Sequence, residues 1–257
     1  MAQWIKTALD ERAGGRVATL AIDNPKQLNA LTVAAILELT EALRALAKDE
    51  ELRAVVLTGA GTKAFSGGVN VNDLGATSEK TAREGITRLH HCIAAVRDCP
   101  VPVIARLNGY CIGGALELAA ACDLRIAADH ARFGMPEVRL GIPSVIEAAL
   151  LPRLMGAGRA RWLLLTGELI DAAEALRWGL VERVAPFAGL DTEVERALEG
   201  VLASAPQAIR AQKRLNRAYE ELPFVEAVSL SIDEFARAYA TGEPQRLMRD
   251  YLERRRK

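Results

Sequence analysis

The chain has few side chains that commonly bind metals or form disulfides, with four cysteines and three histidines among 257 residues. They are Cys92, Cys99, Cys111, Cys122, His90, His91 and His130. The cysteines form no CxxC pair and are scattered along a chain of this size, which argues against a disulfide scaffold. The histidines add too few ligands for a zinc site. We therefore expect a reduced protein with no bound metal.

The chain also lacks a charge surplus and a long apolar run. Lys plus Arg number 33 and Asp plus Glu number 33, so the formal net charge is zero. A dedicated nucleic-acid binder needs a basic surplus to neutralise phosphates. No apolar run reaches the roughly 18 residues that span a bilayer, and residues 1–6 do not resemble a secretory signal. We expect a cytoplasmic protein with neither a nucleic-acid nor a membrane partner.

What remains is the composition of a globular α/β protein, with 50% apolar and 26% charged residues. Thr32 is a candidate N-cap for a helix with a regular apolar face, and a second such helix includes Ile86 to Val96. Apolar runs predict strands at 16–22, 53–58, 101–106 and 123–127. Because strands and helices alternate, the sequence predicts a mainly parallel sheet with helical crossovers.

The pattern changes after about residue 145, where strand signals disappear and helical patterns take over. Helices are predicted at 157–165, 171–178 and over most of 191–257. We therefore divide the chain into a sheet-containing core at 1–195 and a helical C-terminal region at 196–257. Helices with this much apolar surface are expected to pack on the core or on another chain.

Two glycine-rich segments follow predicted strands, at 64–74 and 106–118. Paired glycines allow positive φ angles and a close approach of the backbone to a ligand. In the second segment the pair opens a helix, so the N–H of Gly114 is expected to point outward from its first turn. Two such N–H groups directed at one oxygen would form an oxyanion hole. A tight strand-to-helix turn remains the alternative explanation for each segment.

Two carboxylates lie near these segments in the sequence. Glu117 follows Gly114 by one helical turn, and Glu137 lies in a loop bounded by glycine and proline. An isolated glutamate is usually a solvated surface group. The alternative is a pair of carboxyl groups beside a reacting carbon, one acting as base and the other as acid.

Taken in order, several segments resemble the crotonase (enoyl-CoA hydratase/isomerase) superfamily. They are NPKQLNAL at 24–31, the segment 65–74, NGYCIGGALE at 108–117, FGMPE at 133–137, LPRLMG at 151–156, TGE at 166–168 and WGLV at 178–181. The resemblance covers nearly the whole chain. It implies an α/β fold with a crotonase-like spiral of ββα repeats, followed by C-terminal helices that form a homotrimer. Trimers of the family commonly pair into a dimer of trimers.

The resemblance also implies an acyl-CoA thioester as substrate, with coenzyme A as part of that substrate and no separate cofactor. The thioester oxygen would lie between the amides of Val69 and Gly114, as the oxyanion hole. Glu117 would hold and activate water and Glu137 would deliver a proton to C2, or both would share these tasks around one water. The predicted substrate-binding residues are Lys26, Gln27, Leu28, Ala30, Gly67, Gly68, Asn70, Val71 and Met135.

The chain departs from the family pattern in three places. Val69 and Asn70 replace a usual Ala-Asp pair, which keeps the backbone donor and predicts altered hydrogen bonding in the loop. Met135 replaces a Gln near the second acid, which predicts a more apolar pocket wall. The segment 141–150 is one residue shorter than usual. It is expected to begin a helix near the acyl end and to alter acyl preference. Glu147 in this segment could supply a third carboxylate, but we expect an exposed helical residue.

The expected activity is hydration of a 2-enoyl-CoA, and the main alternative is double-bond isomerisation, which can use Glu137 alone. Thioester hydrolysis, decarboxylation and an RNA-binding relative of the same fold are further alternatives. Serine chemistry at Ser66 or Ser144 is less favoured because no Gly-x-Ser-x-Gly turn is present. No GxGxxG follows the first strand, so a dinucleotide site is not predicted.

Overall fold

The structure is a computed structural model that describes residues 3–75 and 77–255. The strands are β1 (Ile5–Arg12), β2 (Gly15–Ile22), β3 (Leu52–Gly59), β4 (Ala64–Ser66), β5 (Val103–Leu107), β6 (Tyr110–Ile112), β7 (Leu124–Ala128), β8 (Arg132–Gly134), β9 (Leu169–Asp171) and β10 (Arg183–Ala185). The α-helices are α1 (Val33–Leu46), α2 (Val71–Gly75), α3 (Glu79–Asp98), α4 (Gly114–Ala120), α5 (Leu151–Met155), α6 (Ala157–Thr166), α7 (Ala172–Trp178), α8 (Leu190–Leu202), α9 (Pro206–Glu221), α10 (Phe224–Ala240) and α11 (Glu243–Arg254). Short 3₁₀ helices lie at Pro25–Gln27, Pro136–Leu140, Ile146–Leu150 and Phe187–Gly189.

The larger sheet has six strands in the order β1-β2-β3-β5-β7-β10. The β1–β2 pair is antiparallel, and the other pairs are parallel. Every residue of β3 is buried, as expected for a parallel strand with both faces covered. Side chains along β3 alternate between two cores: Val55 and Leu57 belong to the main core, whereas Ala54 and Val56 pack in a second core that includes Leu198 of α8.

The smaller sheet has four short strands in the order β4-β6-β8-β9. β4, β6 and β8 are parallel, and β9 closes the sheet in the antiparallel direction. Because the carboxyl ends of parallel strands meet at one edge, the segments that follow β4, β6 and β8 come together there. These segments are the first glycine pair, the second glycine pair and the Pro136–Leu140 helix. The small sheet thus positions the candidate site.

The prediction of an α/β protein with a helical C-terminal region is confirmed. β2, β3, β5 and β7 form where the apolar runs predicted strands, and α1 begins after Thr32, whose hydroxyl accepts the amide of Ala35 at 3.2 Å. The prediction that strands end near residue 145 is wrong, because β9 and β10 follow. Each has only three residues, too few to show a periodicity of two.

The C-terminal helices differ in how closely they pack against the core. The predicted division at 195/196 falls within α8, which packs on the larger sheet. Lys213 of α9 is buried and ion-paired with Asp123 at 2.7 Å, which ties that helix to the core. By contrast, Phe224 and Phe235 of α10 are 83% and 67% exposed. Over the described residues, none of the helices combines the length and apolarity needed to cross a membrane.

Candidate active site

The first glycine loop, after β4, is held against the second by close backbone packing. Gly68 has φ +91°, and a Cβ atom there would lie 2.5 Å from the carbonyl oxygen of Ile112. The amide of Leu31 donates to Gly68 O at 2.8 Å, and the amide of Asn70 donates to Leu31 O at 3.4 Å. Leu31 therefore bonds to the two residues that flank Val69. This bridge pattern turns the amide of Val69 away from Leu31.

The second glycine loop presents a neighbouring amide at the start of α4. Gly113, at φ +58°, precedes the helix and donates its own N–H to Gly134 O at 2.9 Å. A Cβ atom on Gly114 would lie 3.2 Å from Cγ2 of Val69, which shows how closely the two loops approach. Within the described residues, the amides of Gly114 and Val69 donate to no protein acceptor. Two N–H groups without a protein acceptor thus lie on neighbouring loops.

Glu117 lies one turn into α4 and is only 3% exposed. Burial raises the pKa of its carboxyl group from an ordinary 4.5 to about 8, and the charges of Glu137 and Glu147 act in the same direction. Hydrogen bonding from the backbone of Ala148 and Val145 has the opposite effect, because it favours the charged form. Glu117 is therefore a proton-holding group at neutral pH in the ligand-free site.

Glu137 lies in the Pro136–Leu140 helix and is half-buried. A Cβ atom on Gly113 would lie 2.5 Å from its Oε1, so the carboxyl group stands directly over the glycine that precedes α4. Ser144 donates its hydroxyl to Oε2 of Glu137 at 3.0 Å. This contact fixes the orientation of the carboxyl group and gives Ser144 a role that the sequence did not suggest.

Both glycine loops and both carboxyl groups line one cavity of about 140 Å³. Its lining is largely apolar and includes Val71, Ile86, Leu89, Leu140, Ile142 and Val145. The segment 141–145 forms part of the wall, and the short 3₁₀ helix Ile146–Leu150 follows it. Met135 is 0% exposed and belongs to the hydrophobic core, so the structure does not bring it to this wall.

A second cavity, of about 400 Å³, lies beside the 25–31 loop. Lys26 and Lys63 both line it, and Lys63 was not among the predicted residues. The amide of Gly67 donates to Leu28 O at 2.7 Å. Because Leu28 lines the second cavity and Gly67 lines the first, this hydrogen bond lies between the two cavities. An elongated ligand could occupy both.

Two buried asparagines shape the turn between β3 and β4, and the sequence analysis missed their role. Asn29 Nδ2 donates to the carbonyls of Ala60 and Ala64 at 2.9 and 2.8 Å. Asn108 Nδ2 donates to Gly59 and Gly61 at 2.9 and 2.8 Å. They satisfy carbonyls of the turn and of the buried residues Gly59 and Ala64 at its two ends, which fixes the wall of the second cavity. Both residues lie within the quoted sequence motifs, which was the available signal.

The predicted binding residues occupy the two loops in different ways. Those that line the main cavity are Gly67, Gly68 and Val71, and those that line the second cavity are Lys26 and Leu28. Gln27, Ala30 and Asn70 lie on the same loops. The oxygen of Gln27 accepts the Asn24 side-chain amide at 3.0 Å, which places it in the loop's own hydrogen bonding.

The expectation that Glu147 is an exposed helical residue is wrong. It is 7% exposed, and its Oε1 lies 2.7 Å from Nδ1 of His90 on α3. The preceding residue, Ile146, has φ +41°, which is rare for a β-branched residue. This turn brings Glu147 inward instead of along a regular helical surface. The contact joins residues 57 positions apart, so no local pattern could reveal it.

The described structure gives no support to metal or serine sites. Over residues 3–75 and 77–255, no three His, Cys, Asp or Glu side chains are grouped to hold a metal ion. Ser66 accepts the amide of Gly68 at 3.1 Å, and Ser144 contacts Glu137. Neither hydroxyl is hydrogen-bonded to a histidine among the described residues.

Comparisons with known proteins identify the family of the chain. A family model described as enoyl-CoA hydratase/isomerase matches residues 12–257. Crotonyl-CoA hydratase of Syntrophomonas wolfei is 36% identical over 93% of both chains, and short-chain-enoyl-CoA hydratase of Clostridium acetobutylicum is 33% identical over 94% of this chain and 93% of its own. The crystal structure of enoyl-CoA hydratase from Bacillus anthracis has a TM-score of 0.92 at 30% identity, covering 98% of this chain and 97% of that one. This chain belongs to the enoyl-CoA hydratase/isomerase family of the crotonase superfamily.

Proposed function

We propose that the protein adds water across the C2=C3 bond of a 2-enoyl-CoA thioester to give a 3-hydroxyacyl-CoA. The observation that carries the proposal is the presence of two carboxyl groups, Glu117 and Glu137, beside the available amides of Val69 and Gly114 in one cavity. The names of the two relatives, a crotonyl-CoA hydratase and a short-chain-enoyl-CoA hydratase, support the same reaction.

The amides would stabilise the charge that develops on the thioester oxygen. When hydroxide adds at C3, electron density moves through C2 to that oxygen and forms an enolate. Fixed N–H groups of Val69 and Gly114 can hold this oxygen without rearrangement, because close loop packing has already positioned them. Removing one such donor in other acyl-transfer sites costs about 3–4 kcal/mol of transition-state stabilisation. Formation of the enolate is the step in which these two N–H groups stabilise the most charge.

The carboxyl pair would supply both acid and base. With one proton between them, the two groups would give the site a carboxylic acid and a carboxylate together. The carboxylate would take a proton from water as the water oxygen bonds to C3, and the acid would give its proton to C2. The pair would end with the same single proton. The pKa of Glu117, which burial raises to about 8, argues against a fixed assignment of Glu117 as base, because this carboxyl group holds a proton at neutral pH.

The second cavity is suited to the nucleotide end of coenzyme A. Lys26 and Lys63 place two cationic side chains beside it, where phosphate groups would be attracted. The hydrogen bond between Gly67 and Leu28 marks the passage to the catalytic cavity. A pantetheine arm crossing at this point would bring the thioester to Val69 and Gly114.

The catalytic cavity favours a short acyl chain. Its volume of about 140 Å³ is close to that of an apolar cavity known to accept benzene, about 150 Å³. Ile142 and Val145 add branched apolar groups to its wall. We expect kcat/KM to be highest for four- to six-carbon 2-enoyl-CoA thioesters and to fall by at least tenfold for ten carbons. Measurement of hydration rates over a chain-length series checks this expectation.

The test of function uses crotonyl-CoA and follows the loss of its conjugated absorbance on hydration. Glu137→Gln should lower kcat by about 10²–10⁴-fold with little change in KM, because it removes a proton-transfer group but keeps the volume. Glu84→Gln, on the exposed side of α3, is the matched control and should match the unmodified protein. Unchanged kcat in Glu137→Gln would remove that residue from the mechanism. Conversion of a 3-enoyl-CoA to the conjugated isomer without hydration would instead establish the isomerase alternative.

We also propose that the protein self-associates through its C-terminal helices, as a homotrimer or a dimer of trimers. Phe224, Val225, Ile232 and Phe235 expose a run of large apolar side chains on α10. Such a surface is larger than scattered apolar exposure and favours a protein partner. Light scattering coupled to size exclusion should give three or six times the 27.8 kDa chain mass. A monomer at micromolar concentration would contradict the proposal.

A further inference from the structure

Glu147 is buried yet incompletely hydrogen-bonded. Its Oε1 contacts His90, but its Oε2 is buried and has no hydrogen-bond partner within the described residues. An unsatisfied carboxyl oxygen usually costs about 1–3 kcal/mol, and more if the group is charged. The preceding Ile146 adds backbone strain through its positive φ. Two unfavourable features at adjacent residues point to a role that the fold alone does not require.

The neighbourhood of Glu147 leads directly to Glu117. The 3₁₀ helix Ile146–Leu150 packs against α4, and the backbone of Val145 and Ala148, on either side of Glu147, stabilises the charged form of Glu117. The charge of Glu147 has the opposite effect on the same carboxyl group. One short turn therefore acts on Glu117 through its backbone and through a carboxylate side chain.

We propose that Glu147 and His90 form a positioning pair for Glu117, which fixes the Val145–Ala148 turn against its carboxyl group and places a second negative charge beside it. His90 holds the turn from α3, since its half-exposed ring reaches Oε1 of Glu147 at 2.7 Å. Glu147 remains outside direct contact with substrate in this arrangement, because it does not line the catalytic cavity. The inference rests on the proposed role of Glu117.

Other charged groups around Glu147 are few within the described structure. On α3, the ring of His91 lies 5.8 Å from that of His90. On α4 the facing group is Glu117, and Glu137 acts on Glu117 from the Pro136–Leu140 helix. On α5, Arg153 is exposed and donates to the carbonyl of Glu220 in the C-terminal helices. The pair therefore influences Glu117 without a competing cation from α5.

The negative charge of Glu147 is expected to affect the pH dependence of kcat/KM. If the carboxyl pair works with one shared proton, kcat/KM falls as pH rises and that proton is lost, near the pKa of Glu117 at about 8. Removing the negative charge of Glu147 lowers the pKa of Glu117, because one repulsive charge is gone. The alkaline limb in Glu147→Gln should therefore move to lower pH. A merely structural role would lower kcat without moving the limb.

If His90 positions the turn beside Glu117, activity lost in one variant at position 90 should be restored by another. His90→Ala should lower kcat by about tenfold with KM nearly unchanged, since the turn that holds Glu117 loses its anchor. His90→Asn can donate an amide N–H from nearly the place of Nδ1 and should restore most of that loss. His91→Gln, an exposed neighbour on the same helix, is the matched control and should behave like the unmodified protein. Equal effects of His90→Ala and His91→Gln would overturn the positioning role.

A second readout does not depend on turnover. Infrared titration of the full-length protein should show a protonated carboxyl band that disappears with a midpoint near pH 8 and is absent in Glu117→Gln. In Glu147→Gln the midpoint should shift to lower pH. An unchanged midpoint overturns the inference, even if crotonyl-CoA is hydrated. A shifted midpoint with no hydration of any enoyl-CoA would refute the proposed function and leave the coupling of Glu147 to Glu117 intact.

Discussion

Replacing Glu117 by Gln should stabilise the folded protein increasingly as pH rises. Burial raises the pKa of Glu117 to about 8 in the folded state, whereas an exposed glutamate in the unfolded chain titrates near 4.5. Between these values the folded state retains a proton that the unfolded state has released. The free energy of unfolding of the unmodified protein therefore falls as pH rises through this window. The amide introduced by Glu117→Gln does not titrate, so the variant escapes this loss.

The size of the effect follows from the same two pKa values. Each pKa unit corresponds to 1.36 kcal/mol, so the interval from 4.5 to about 8 sets an upper limit of about 5 kcal/mol above pH 8. Near pH 4 the carboxyl group is largely protonated in both states, and the variant should differ little from the unmodified protein. We expect the stability gain to increase by at least about 2 kcal/mol from pH 5 to pH 9.

Urea unfolding at pH 5 and pH 9, followed by tryptophan fluorescence at one protein concentration, measures this difference. Glu84→Gln serves as the control, because it removes an exposed carboxyl group from α3 and should show no pH-dependent gain. The Glu117→Gln variant should also be nearly inactive, so stability and activity change in opposite directions. The reasoning is refuted if Glu117→Gln changes the free energy of unfolding equally at the two pH values.

Two further variants test the geometry of the site. Gly113→Ala places a Cβ atom 2.5 Å from Oε1 of Glu137, at a backbone φ of +58°, and should lower kcat by at least tenfold. The control Gly85→Ala has open space around the added Cβ atom and should keep full activity. Equal kcat values for the two variants would contradict the assigned packing of Glu137 against Gly113. Lys63→Ala should raise KM for crotonyl-CoA about fivefold at low salt, because an attraction between Lys63 and the phosphate groups is lost. The increase should be smaller at high salt, where this attraction is screened. An increase in KM that does not depend on salt would place the phosphate groups away from Lys63.

Four strands of the larger sheet, β2, β3, β5 and β7, could be read from the sequence because each is an apolar run of five to eight residues that is largely buried. β3 has eight buried residues, and its apolar run is unmistakable between turn signals. The first strand, β1, was missed because most of its residues are exposed and polar at the sheet edge. Gly14 in the two-residue turn between β1 and β2, followed by Gly15 at the start of β2, was the available hairpin signal. Strands of three residues, such as β9, carry too few side chains to display any period.

Some residues of the site could likewise be recognised from the sequence, whereas others could not. The loops containing Gly68 and Gly114 could be recognised because glycine pairs and their order are visible in the sequence. Glu117 and Glu137 could be proposed from the same motifs, although their closeness depends on the parallel strands of the small sheet. Glu147 could not, because its environment is made by a residue on another helix and by the unusual φ of Ile146. Burial of a charged group is a tertiary property that local composition does not encode.

These features combine into one physical account of the site. Glu117 is buried to hold a proton near neutral pH, and that burial costs stability which a larger core must offset. A further energetic cost lies at the short turn containing Glu147, where an unsatisfied oxygen and a strained backbone meet. A chain with the same fold but an apolar residue at position 147 should be more stable at high pH and should titrate Glu117 at lower pH. The pH range of activity would then be set by this turn, while the amides of Val69 and Gly114 continue to define which oxygen is held.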